Sequence, residues 1–242
     1  MYAIKTSNLL KQYGKVTAVD QLNLEIKEGE LFSLLGLNGA GKTTTLKLLS
    51  TLVQPSEGDA EIFGHSINRQ AKKAKLLIGI SPQETAVAPN LTVKENLEFI
   101  CGIHGFSSEK TRDRIDEITN KLYLKEVLNR RTGKLSGGYQ RRISIAMALI
   151  SEPRILFLDE PTLGLDVIAR HELWKTIASL KGSITIILTT HYMEEVEALS
   201  DRVGIMQNGK LLAVGTVGEL TARYGDKSFE SAFISIVKEG NV

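Results

Sequence analysis

Five apolar residues, LFSLL (31–35), run straight into GLNGAGKT (36–43), and a helix-forming stretch follows at once. No other feature restricts the possible folds so tightly. A short continuous apolar run ending at glycine reads as a strand buried on both faces, the kind that parallel sheets use. The pattern G-x-x-x-x-G-K-[ST], set between such a strand and a helix, is a phosphate-binding loop. Gly36, Gly39 and Gly41 let backbone N–H groups turn inward at phosphate oxygens, where side chains would block the approach. The helix expected from about Lys42 to Val53 adds its positive N-terminal end. Lys42 brings a full charge to the β- and γ-phosphates, and the Thr43 hydroxyl suits Mg2+. The spacing therefore predicts a nucleoside triphosphate site.

Further along, Leu22, Leu24 and Ile26 alternate with Asn23 and Glu25, which predicts a half-buried strand ending at the turn Glu28-Gly29. Short strands are expected at 60–63 and 76–80, the second followed by SPQE. The character then changes. Thr92 and Glu95 form a T-x-x-E capping box opening a helix to His104, with further helices at about 108–121 and 139–151. Strand signals return at RILFLDE (154–160) and ITIIL (184–188), separated by a helix over about 168–180. HYMEEVEALS reads as a short helix, and Asn208-Gly209 as the turn of a hairpin over 203–214. Buried strands alternating with helices predict an α/β core with a parallel central sheet. The expected organisation is a core of 1–87 and 153–225, a mostly helical insertion of 88–152, and a tail of 226–242 for which the sequence offers no reading.

Composition narrows the setting. The 242 residues are 42% hydrophobic and 24% charged, as in ordinary globular domains. A net charge of +2 gives no argument for nucleic acid or anionic lipid. The single cysteine, Cys101, rules out an internal disulfide framework and fits a reducing compartment. The N-terminal MYAIKTSNLLKQYG lacks a signal peptide's apolar core, and no apolar run approaches the roughly 18 residues a membrane span needs. Any membrane role is expected to be played through a partner.

Several residues carry candidate chemistry. Asp159, at the carboxyl end of ILFLD, can hold Mg2+, and the neighbouring Glu160 can polarise an attacking water as general base. Two adjacent acids after a strand also fit a solvated turn, but beside a phosphate loop a buried carboxylate has a cation to offset its desolvation. His191 ends ITIILTT, at the edge where open α/β sheets bind ligands. Gln83 can reach a metal or a water, and Tyr13 can stack on a base. LSGGYQ (135–140) places a serine and two glycines before a half-apolar helix. Alone that is an N-cap; it is also an anion site without a lysine of its own.

Taken together and in this order, the motifs resemble the nucleotide-binding subunit of ABC transporters, over the chain to about residue 220. GLNGAGKT resembles the Walker A loop, ILFLDE the Walker B strand, and LSGGYQ the signature motif. Gln83 is similar to the Q-loop glutamine, Leu163–Asp166 to the D-loop, and His191 to the switch histidine. Tyr139 replaces the commoner glutamine of the signature, and Val167 stands where proline often follows the D-loop. The resemblance implies a P-loop NTPase (RecA-like) core with an N-terminal antiparallel β part and an inserted helical subdomain. It implies ATP and Mg2+ as cofactors. Tyr13, Gly36, Leu37, Asn38, Gly39, Ala40, Gly41, Lys42, Thr43, Thr44 and Gln83 would bind the nucleotide, and Thr43, Gln83 and Asp159 the metal. Lys42, Glu160 and His191 would serve catalysis. Ser136, Gly137 and Gly138 would bind ATP held by a second nucleotide-binding subunit, identical or not.

The same resemblance implies a separate transmembrane permease as partner, no nucleic acid, and a peripheral place at the cytoplasmic face of the cell membrane. HYMEEVEALSDRVGIMQNGKLLAVGT, with LGLNGAGKTT, is most similar to bacterial and archaeal ATPases of drug, antibiotic or ion export. Two other classes fit the motifs less well. ABC ATPases of repair or translation usually carry two cassettes or coiled-coil insertions, and a P-loop kinase or GTPase would not need LSGG.

Overall fold

The computed structural model describes residues 1–225 and 228–240. β1 (Tyr2–Tyr13), β2 (Val16–Leu22) and β3 (Glu25–Lys27) open the chain, and β4 (Leu31–Leu35) leads through the glycine loop into α1 (Lys42–Leu49). β5 (Glu57–Ile62), β6 (His65–Ser66), α2 (Ala71–Lys75) and β7 (Ile78–Ser81) follow. α3 (Val93–Ile103), α4 (Ser108–Lys121) and α5 (Gly137–Leu149) then precede β8 (Ile155–Asp159). α6 (Val167–Ala178), β9 (Thr185–Thr190), α7 (Met193–Leu199), β10 (Arg202–Gln207) and β11 (Lys210–Gly215) complete the core, and α8 (Val217–Tyr224) and α9 (Phe229–Glu239) close it.

Two sheets result. β1 pairs antiparallel with β2, β3 and β5, and β5 with β6. The second sheet has the order β11-β10-β4-β9-β8-β7, parallel except for the β10–β11 hairpin. Alternation along its buried strands divides the core. Phe32, Leu34, Ile155, Phe157 and Ile187 face α1 and the antiparallel sheet. Leu31, Leu156, Leu158, Ile186 and Leu188 face the helical side, where they meet α3 to α6. Strands this apolar on both faces must be covered on both, so the central sheet is the middle of three layers.

Several expected boundaries shift for local reasons. The strand predicted across 22–26 is split, because Gln21 takes φ 44 and the Asn23 amide bonds to Asn8 instead. α1 stops at Leu49 rather than Val53: Thr51 takes φ 61, and the N–H groups of Leu52 and Val53 both turn back to the Lys47 carbonyl. β5 starts at Glu57, and α5 at Gly137 rather than 139. The capping box at Thr92 and Glu95 is formed, so α3 begins where the motif put it. β1 escaped the sequence reading. Ala3 and Ile4 are both buried and Asn8 has φ 47, so the strand carries no clean two-residue alternation.

The stretch after Gly225 holds α9, whose Phe229, Phe233 and Ile236 pack against Leu35, Val196 and Val203. Residues 226, 227, 241 and 242 of that expected tail lie outside the described residues.

Gly79 shows how closely the layers approach. A Cβ there would lie 2.3 Å from the Ala148 carbonyl oxygen and 2.9 Å from the Pro153 ring, so α5 rests directly on β7. Gly79→Val should therefore lower unfolding free energy by about 1–3 kcal/mol through overpacking. Urea denaturation followed by circular dichroism tests this; an unchanged midpoint would mean the two elements part easily.

Candidate functional site

Three parallel strands end at the same level. Leu35 pairs with Thr190, and Asp159 pairs with Thr189, so the glycine loop, Glu160 and His191 leave the sheet side by side. A cleft of about 670 Å3 opens there, lined by residues 38–44, Gln83, Glu160, Leu163 and His191, with Val16–Ala18 and Asn208 as its far wall.

The loop is built by close packing from behind. Gly41 has φ 102, and a Cβ on it would lie 2.4 Å from the Ala18 carbonyl oxygen, so β2 sits directly against the loop and only glycine fits. The Gly209 N–H donates to the Ala40 carbonyl at 3.1 Å, so the tip of the β10–β11 hairpin supports the same turn. Lys42 is buried, and its ammonium donates to the carbonyls of Gly36 at 2.8 Å and Leu37 at 3.2 Å. It also lies 3.5 Å from Glu160 Oε1. A triphosphate entering the loop offers that ammonium a more highly charged partner than two carbonyls.

The carboxylates are as tightly set. Asp159 Oδ1 accepts from the hydroxyls of Thr43 at 3.1 Å and Thr189 at 2.5 Å. Glu160 takes φ 44, a left-handed conformation that is unfavourable for a residue with a side chain. It is held there because its N–H donates to both the carbonyl and the hydroxyl of Thr189, each at 3.1 Å. Its Oε2 lies 3.0 Å from His191 Nδ1. Strain retained by so many bonds is typical of functional positions.

The sequence candidates thus fall into two groups. Residues 36–44, Gln83, Asp159, Glu160 and His191 gather at one cleft. Tyr13 stands at its side: it pairs with the lining residue Val16 but is itself half exposed, with Lys11 Nζ 5.1 Å from its ring centroid. Ser136, Gly137 and Gly138 lie elsewhere. Ser136 precedes α5 without a side-chain capping bond and is exposed. A Cβ on Gly137 would lie 3.3 Å from Leu165, and one on Gly138 3.2 Å from Ala169, so the LSGG turn packs on the segment after Leu163.

Three residues were missed by sequence reasoning. Thr189, just described, carried only the faint signal of a threonine pair ending an apolar strand. Arg141 is buried and donates to the carbonyls of Pro82 and Gln83, each at 2.7 Å, which fixes the backbone at Gln83. Burial lowers its pKa, while the nearby Asp159 and Glu195 carboxylates oppose the shift. Its signal was a charged residue inside the otherwise half-apolar start of α5. Glu195 is wholly buried, yet it stands among other acids in a short helix and no pattern in the sequence sets it apart.

A family model described as ABC transporter matches residues 19–163. The chain belongs to that family. It is 39% identical over 237 residues to the linearmycin resistance ATP-binding protein LnrL of Bacillus subtilis (strain 168), covering 98% of this chain and 76% of that protein. It is 37% identical over 242 residues to the probable multidrug ABC transporter ATP-binding protein YbhF of Escherichia coli (strain K12), covering 98% of this chain. The chain spans only 42% of that longer relative. Among solved structures, the dimeric post-hydrolysis state of the ATP-binding cassette MJ0796 bound to ADP and Pi superposes with a TM-score of 0.77 at 29% identity. That match covers 88% of this chain and 98% of the other. The chain is accordingly an ATP-binding subunit of an ABC transporter and an ATPase, with the P-loop core and the two-sheet arrangement that the resemblance implied.

The loop geometry makes one residue decisive for nucleotide capture. Opposite charges about 4 Å apart are worth roughly 4 kcal/mol at an effective dielectric of 20. Lys42→Ala should lower ATP affinity or hydrolysis by about 10²-fold or more, with the fold intact. Isothermal titration with ATP and a phosphate-release assay measure both; near wild-type values would remove GLNGAGKT from the working site.

Proposed function

We propose that this subunit drives export of a drug- or antibiotic-like compound through a separate membrane permease, by closing a two-subunit sandwich around ATP and reopening it on hydrolysis. The observation that carries the reading is the position of Ser136 and Gly137. They form an exposed, uncapped helix start outside the chain's own cleft. Such a helix start attracts phosphate. The γ-phosphate it serves then belongs to ATP held by a second nucleotide-binding subunit. The export direction rests on the relatives LnrL and YbhF, whose names speak of resistance and multidrug transport.

Within one cleft, the loop N–H groups and Lys42 take the β- and γ-phosphates. The buried Asp159 carboxylate, gathering two hydroxyls, is a hard oxygen cluster that fits Mg2+ in character. Thr43, Asp159 and Gln83 would hold the ion, which neutralises phosphate charge when bound. Glu160 accepts the proton of the attacking water, and His191 Nδ1–H keeps its carboxylate aimed. Water adds to the γ-phosphorus as the bond to ADP breaks.

Residues 88–152 act as an inserted helical subdomain that meets the permease. Phe99 and Ile103 of α3 are 61% and 65% exposed, apolar surface that a cytoplasmic helix of the permease would cover. No described helix is long and apolar enough to cross a membrane, which suits a peripheral subunit at the cytoplasmic face. The chain should sediment with membranes only when the permease is co-expressed; permease-independent sedimentation would overturn this part.

The sandwich is tested by trapping it. Glu160→Gln keeps shape but removes the proton acceptor, so hydrolysis should fall by about 10²-fold or more while ATP still binds. Uncleaved ATP should convert this variant from monomer to dimer on size exclusion. Adding Ser136→Arg should abolish the dimer and leave ATP binding in place. A double variant that still dimerises with ATP would reduce LSGGYQ to a helix cap.

A further inference from the structure

Behind the cleft lies a carboxylate that the mechanism above does not use. Glu195, on α7, is 0% exposed. Its Oε1 accepts from Trp174 Nε1 of α6 at 3.0 Å. Burial pushes its carboxyl above the usual range, opposed in part by nearby polar groups, the Trp174 indole and the Arg170 guanidinium among them. Glu195 Oε2, Thr162 Oγ1 and Arg170 Nε have no hydrogen-bond partner among the described residues. The Glu195 carboxylate in turn helps to hold up the pKa of Arg141, which bonds the Gln83 backbone.

The placement of these neighbours is what matters. Thr190 directly precedes His191, and Thr162 follows Glu160 by two positions. Trp174 and Arg170 sit on the helix that opens at Asp166, whose carboxylate caps it by accepting from the Ala169 N–H at 2.9 Å. An incompletely paired carboxylate in a dry interior lowers stability, and an apolar side chain would fill the space at less cost. Space filling therefore does not account for it.

We infer that Glu195 is a positioning residue for ATP hydrolysis, tying α7, which begins two residues after His191, to Trp174 of α6. The catalytic groups enter the cleft on chain ends that have no sheet neighbour beyond Asp159 and Thr190. Glu195 holds the helix that follows His191 against α6, whose N-cap Asp166 lies six residues after Glu160. The inference rests on the proposed roles of Glu160 and His191. Near wild-type hydrolysis by Glu160→Gln and His191→Ala would defeat that reading, whatever Glu195 does.

The test is steady-state hydrolysis of MgATP by the full chain carrying Glu195→Leu, Glu195→Gln or Trp174→Phe, with urea melts alongside. Leucine satisfies a purely structural role, so Glu195→Leu should stay folded. It should nonetheless lose about 10- to 100-fold in kcat, with KM within about 2-fold, as expected when catalytic groups are misplaced but binding groups are not. Glutamine still accepts the indole N–H, so Glu195→Gln should return to within about 3-fold of wild type. Trp174→Phe keeps the ring and removes only the donor; its kcat should fall about 3- to 10-fold at unchanged KM, which decides the matter if the leucine variant does not fold. Wild-type kcat in a folded Glu195→Leu or in Trp174→Phe overturns the inference. So does a glutamine variant as slow as the leucine one.

Discussion

Parallel pairing in strict register between β4, β9 and β8 is the constraint from which both core and site follow. The pairs Leu35–Thr190 and Asp159–Thr189 bring three chain ends to one level. A slip by a single residue would turn every side chain of a strand to the opposite face. Phe157 and Ile155 would then leave α1 and the antiparallel sheet, where both are now fully buried. Burying side chains of this size contributes roughly 1.5–3 kcal/mol each, so the apolar faces lock the register. The alignment of catalytic groups is thus enforced by hydrophobic residues that never touch the nucleotide.

Charge balance at the cleft depends on the same alignment. Lys42, Asp159 and Glu160 are all buried, and an isolated ion in such a place would be strongly unfavourable. The 3.5 Å approach of Lys42 to Glu160 and the hydroxyls gathered on Asp159 are possible only because β4 and β8 end together beside β9. Thr189 is the common member: its hydroxyl donates to Asp159 and accepts from the Glu160 N–H.

Legibility in the sequence followed physical range. The glycine loop, the apolar strands and the capping box at Thr92 are written in contiguous residues, and contiguous patterns can be read directly. The central sheet, the P-loop and the cleft-lining identities of Lys42, Glu160 and His191 were all available in this way. β1 was not, because bulged pairing against three different strands erases its alternation. Arg141 and Glu195 were not either. Each serves groups far away along the chain: Arg141 bonds to carbonyls 58 and 59 positions back, and Glu195 to an indole 21 positions back. Local composition carries no record of such partners. The register of α5, two residues earlier than expected, was hidden by two glycines that are poor helix formers yet start the helix where Ser136 precedes them.

The support given to the glycine loop by the Asn208-Gly209 hairpin sets an order of events during synthesis. β4 emerges early from the ribosome, but its two sheet neighbours, β9 and β10, are Thr185–Thr190 and Arg202–Gln207. One of the loop's rear contacts, from the Gly209 N–H to the Ala40 carbonyl, comes later still. Until β9 and β10 are made, LFSLL is an apolar segment with unpaired backbone on both edges, exposed to pairing with the wrong chain. Long-range closure of this kind is slow compared with local helix formation. The hairpin tip that supports the loop from behind is thus made about 170 residues after the loop itself, so the loop's full support is a late event of synthesis.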